Sequence, residues 1–184
     1  MKKYFLFLLI CAALVLPSCS VVDKIDDIDF DVKLYQTISV NETGTSTIPV
    51  TYSQSRIIDA NSNADIVKYK NNIKGYTITK ITYTISDYGP AGSAITFSDG
   101  KLSFGAAGAS SNVLATIGTI DLKALSTSGA ETTLSIDQAG LASISDLLLK
   151  NSQVTVTAAG TLSGTPVKFN VNTTVYVTVK ANAL

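Results

Sequence analysis

The chain has 184 residues, with 14 Lys+Arg, 14 Asp+Glu, no His and no Trp. This length suits one domain, or one domain and a tether, and zero formal charge with Arg56 as the sole arginine argues against a nucleic-acid surface. The lack of histidine excludes a histidine metal site, a Ser-His-Asp triad and a Cys-His dyad.

The N-terminus reads as a leader. Met1-Lys2-Lys3 is basic, and Tyr4 to Leu16 is apolar and uncharged. That run is shorter than the ~20 residues a bilayer-spanning helix needs, and it has the form of a signal-peptide core. Leu16-Pro17-Ser18-Cys19 resembles the lipobox of bacterial lipoproteins, Leu-x-small-Cys; the resemblance covers residues 1–19. It implies cleavage between Ser18 and Cys19, acylation of Cys19 and attachment to a membrane through that lipid. Cys11, the competing candidate, follows the large Ile10. With Cys11 removed and Cys19 acylated, no thiol is left for a disulfide, so stability has to come from an apolar core.

The expected organisation is a leader over 1–18, an acidic tether over 19–29 and one domain over 30–184. The tether carries Asp23, Asp26, Asp27 and Asp29, a composition that stays solvated. Its early acidic residues also resemble the segment that sends Bacteroidota-type lipoproteins to the outer leaflet, which implies the outer membrane. A calcium site is a third reading, but the run lacks the glycine turn and twelfth-position Glu of the helix-loop-helix motif; no metal or cofactor is expected.

The body alternates with period two, the pattern of strands with one wet face. Phe30, Val32, Leu34, Ile38 and Val40 form an even-numbered apolar row. Ile48, Val50 and Tyr52 begin a second strand, which Pro49 places at a sheet edge. Ser62 or Asn63 caps a short helix holding Ile66, Val67 and Tyr69. In Tyr76–Ser86 the apolar parity switches near Thr79–Lys80, which predicts a bulge. Ala94–Phe104 reads as a hairpin turning at Asp99-Gly100, with Ile95, Phe97, Leu102 and Phe104 on one face. Strands are expected over Val113–Leu122 and Thr132–Ile136. Asp137 caps a helix over Gln138–Lys150 that Asn151 ends. Val154 and Val156 mark one further strand. Val167, Phe169, Val171, Val175, Val177 and Val179 mark the last, interrupted only by Thr173, with Gly164 and Pro166 at the turn between them. The fold class is all-β, an antiparallel β-sandwich of Ig-like or Greek-key type with one or two short helices; a small β-barrel is the alternative.

Candidate chemistry is sparse. Asp87, Asp99 and Asp121 are single carboxylates at turns or strand ends, and nothing brings Glu42 to Glu131 as glycosidase chemistry requires. No GxSxG elbow, SxxK dyad or phosphate loop occurs. No catalytic residue is therefore assigned. Most of the tyrosines suit the core rim, and Tyr88, beside Gly89-Pro90, is the candidate exposed contact. Asn41-Glu42-Thr43 and Asn172-Thr173-Thr174 match glycosylation acceptors, a modification that a bacterial leader argues against. Arg56 follows two strands and could be cut to open a groove, as in some pilin-like lipoproteins. The expectation is a cell-envelope lipoprotein whose non-catalytic module binds an envelope protein or glycan or serves a structural role. A pilin-like assembly subunit and an unrecognised hydrolase are the alternatives.

Overall fold

The computed structural model describes residues 27–90, 94–109 and 112–183. The chain is an all-β sandwich of two antiparallel sheets with few short helices. The strands are β1 (Asp27–Ser46), β2 (Val50–Asp59), β3 (Ile73–Gly89), β4 (Thr96–Ala106), β5 (Asn112–Ile117), β6 (Ile120–Asp121), β7 (Thr132–Thr133), β8 (Gln153–Leu162) and β9 (Thr165–Asn182). The helices are α1 (Ala64–Tyr69), α2 (Leu122–Ser128) and α3 (Gln138–Asn151). The first sheet runs β1-β9-β3-β7 and the second β2-β8-β4-β5, with β6 also on β4. The two sheets stay separate, so the alternative of a closed barrel is not realised.

β1 and β9 carry the clearest alternation and make the longest ladder, from Asp27↔Asn182 to Ser46↔Thr165. Leu34, Ile38 and Val40 of β1 and Val154, Val156 and Leu162 of β8 are buried in one common core. β1 starts at Asp27, so Asp27 and Asp29 lie in a strand and not in the spacer expected to reach residue 29. β2 is an edge strand, as Pro49 implied.

The parity switch in β3 is a bulge between Ile78 and Lys80. It puts both Ile78 and Ile81 in the core. Beside the bulge, the backbone N–H of Ile78 donates to Ser145 Oγ of α3 at 3.1 Å. This explains a serine on the buried face of α3 among Leu141, Ile144 and Leu148. Asp137 caps α3 by accepting from Gly140 N at 2.7 Å. The helix includes Asn151 and ends on Ser152 at φ 56°.

The Asp99-Gly100 hairpin is not formed. β4 runs straight through both residues, and Ser98↔Thr161 and Lys101↔Ala159 pair with one strand, β8. Asp99 takes φ 52°, the left-handed conformation that suits a bulge as well as a turn. The extra residue flips the strand face, so Phe97, Leu102 and Phe104 are all buried, as the hairpin would have arranged. A Cβ on Gly100 would sit 2.8 Å from Phe97 Cε1, and one on Gly160 would enter the same ring. The strand expected over Val113–Leu122 breaks at Gly118–Thr119, and Asp121 there caps α2, a helix not foreseen. The strand expected over Thr132–Ile136 shrinks to Thr132–Thr133.

Candidate functional site

The outer face of the first sheet carries cross-strand rows of polar and charged side chains. Alternation along β1 turns Asp29, Asp31, Lys33, Tyr35 and Thr37 to solvent. Cross-strand register then lays Lys33, Tyr176 and Lys80 in one row. The Lys33 and Lys80 ammoniums lie 4.9 and 4.2 Å from the Tyr176 ring centroid. Tyr176 Oη donates to Glu131 at 2.8 Å, and Thr82 Oγ1 donates to the same oxygen at 2.5 Å. The Thr82 bond first, then that of Tyr176, with Lys80 and Lys33 adding their charge, holds the Glu131 carboxyl below its ordinary range.

Further rows repeat the pattern. Asp31 accepts from Thr178 Oγ1 at 2.6 Å. Asp27 meets Lys74 at 2.6 Å and Lys180 at 3.0 Å, and its carboxyl is lowered by those two lysines in that order. Thr37, Asn172 and Ser86 form a bonded row, and Asn170 donates to Asp87 at 2.6 Å. On this plane stands Tyr35, 67% exposed. It is opposite Thr174 and diagonal to Tyr176, about 7–8 Å away in backbone terms. Asp31, Lys33, Thr79, Tyr176 and Thr178 line a shallow depression of about 370 Å³.

A second depression, about 420 Å³, lies between edge strands β1 and β2. Gln54, with its amide oriented to satisfy both ends, donates to Tyr52 Oη and to the Ser39 carbonyl (2.8 Å) and accepts from Arg56 Nη2 (2.9 Å). Arg56 Nη1 also donates to the Ser55 carbonyl at 2.9 Å. The arginine thus fastens a polar latch between the sheets. Burial pushes the Tyr52 hydroxyl up to about 12, with Arg56 opposing and Glu42 adding to the rise.

Cys19 and Ser18 lie outside the described residues. Tyr88 is not an open platform: it is half-buried, packs on the core, and its hydroxyl accepts the Ile95 N–H at 3.0 Å. Glu42 pairs along β1 with Val167, whereas Glu131 sits by Lys33; a strand rise of about 3.3 Å per residue puts them roughly 30 Å apart. Asp121 caps a helix and Asp99 shapes a bulge. Among the described residues no cluster of three metal-ligating side chains occurs, and no helix is long and apolar enough to cross a membrane. Tyr35 escaped the sequence reading, although its odd position within the even apolar row of β1 already marked it as wet.

No family model matches the sequence, and no curated protein matches it. Among solved structures the chain is similar to a decameric BFDV capsid protein, at 10% identity and TM-score 0.44, over 83% of this chain and 99% of that one. It is also similar to a structure of desmodium yellow mottle tymovirus, at 11% identity and TM-score 0.34, over 85% and 90%. Neither likeness bears on what this chain does.

Proposed function

We propose that the protein is a cell-envelope lipoprotein, anchored at Cys19, whose sandwich is a non-catalytic recognition module for an envelope glycan. The lipobox and basic leader support the anchor. The observation that carries the binding role is Tyr35, 67% exposed on a plane of hydroxyl, amide and charged side chains. An aromatic face stacks on the CH groups of a sugar, and the neighbouring polar rows supply hydrogen bonds at strand spacing. The paired charges of that plane suit a neutral, extended polymer better than a strongly charged one.

Two variants of the full chain test this. Tyr35→Ala should abolish retardation in gels containing a neutral envelope polysaccharide and leave the melting temperature unchanged; undiminished retardation refutes the site. Cys19→Ser should lose acyl labelling and leave the membrane fraction; continued membrane association refutes the anchor. Strand exchange of the pilin type has less support, because β1 and β2 are themselves paired in place along β9 and β8.

A further inference from the structure

β1 is a terminal strand of its sheet, and among the described residues no strand pairs with its outer edge. Gln36 Nε2 donates to the Thr37 carbonyl at 3.0 Å, and Gln54 donates to the Ser39 carbonyl. These two bonds show that the odd-numbered carbonyls of β1 point away from β9, and they cap that edge at Thr37 and Ser39. Among the described residues the stretch from Asp29 to Tyr35 keeps its edge uncapped. An open edge of this kind is a template for another strand.

We propose that this stretch pairs antiparallel with the same stretch of a second copy, about a two-fold axis at Val32. Alternation in an antiparallel ladder requires odd residues to pair with odd residues at this edge. With the axis at Val32, Asp31 faces Lys33 of the second copy, Lys33 faces its Asp31, and Asp29 faces its Tyr35. Both charge pairs are then complementary. The next register on one side opposes Asp31 to Asp31, and the next on the other side opposes Lys33 to Lys33. The first of these also pairs Asp29 with Lys33, so charge favours the Val32 axis as the register with two complementary pairs and no like charges opposed. On the inner face Phe30 would meet Leu34 of the second copy and Val32 would meet Val32. The result is one continuous sheet across two molecules, with the Tyr35 surface extended over both.

The test uses the full chain with Cys11 replaced by Ala, in isolated membranes. Val32→Cys lies at a non-hydrogen-bonded pair with Cα atoms about 4.5 Å apart, within disulfide range. Mild oxidation should give a covalent dimer from Val32→Cys and not from Asp29→Cys. Adding Lys33→Asp should cut the dimer yield about tenfold or more, and Asp31→Lys with Lys33→Asp should restore it. No dimer from Val32→Cys, equal dimer from Asp29→Cys, or indifference to Lys33→Asp each overturns the proposal. Sedimentation in detergent of the chain unaltered at position 32 provides an independent reading: a dimer that Lys33→Asp dissociates is expected, and a monomer refutes the pairing.

Discussion

Thr173 breaks the valine row of β9 at the centre of the core. It is 1% exposed, and its hydroxyl has no hydrogen-bond partner among the described residues. It borders a void of about 30 Å³ lined by Phe97, Leu102, Ile117, Leu122 and Phe169 among others, too apolar to offer a water the two or more polar partners it needs. An unsatisfied buried hydroxyl is destabilising, so Thr173→Val should raise stability by about 1 kcal/mol, read by thermal or urea unfolding; a loss would reveal a partner for the hydroxyl. Tyr52 gives a pH signature of the opposite edge. Its folded hydroxyl titrates at about 12, against an ordinary value of 10.0. The folded state holds this proton more tightly than the unfolded chain does. Its contribution is therefore complete below pH 10 and lost as pH rises from there to about 12. Melting temperatures measured across that window should fall, and Tyr52→Phe should flatten that part of the fall; an equal fall in the variant would assign it to other groups.

At the scale of elements, two parity switches were present in the sequence and only one was read correctly. In β3 the odd and even apolar residues could meet one core only through a bulge, and the bulge at Ile78–Lys80 is there. In β4 the same evidence coincided with Asp-Gly, a dipeptide that suits a tight turn. A turn and a bulge both reverse parity and both accept a positive φ, so local chemistry could not separate them. The neighbour decided: β8 pairs on both sides of Asp99-Gly100. Gly160 on β8 belongs to the same arrangement, because it leaves room for the Phe97 ring. Gly160→Ala should destabilise by about 1–3 kcal/mol through overpacking, measured by urea unfolding; an unchanged midpoint would show that Phe97 moves freely. The short α2 was missed because its cap, Asp121, sits inside a run that reads as strand, and because a two-turn helix carries too few apolar residues to show a period.

For the whole molecule, one charge near the start of the domain has a structural job. Asp27 is held by Lys74 and Lys180 across β1, β3 and β9, so its neutralisation would disturb the sheet as well as any export address. Asp23 and Asp26 provide the cleaner test. If the chain is lipid-anchored and the acidic segment directs it outward, Asp23→Asn with Asp26→Asn should lower protease accessibility on whole cells; unchanged accessibility removes that reading. The sequence by itself determined the all-β class, the edge position of β2, the cap at Asp137, a cap at Ser62 or Asn63 that the structure places on Asn63, and which face of β1 and β9 is buried. These depend on period-two burial and on hydrogen bonds within a few residues, both written locally. Strand order, the continuity of β4, the latch at Gln54–Arg56 and the exposed plane around Tyr35 were decided only in the tertiary structure. Each needs residues far apart in the chain to be neighbours: β8 and β9, joined by two residues, lie in opposite sheets, while β1 finds its partner at the far end of the chain. Alternation states that a strand has a partner, and only the packed sheets say which strand it is.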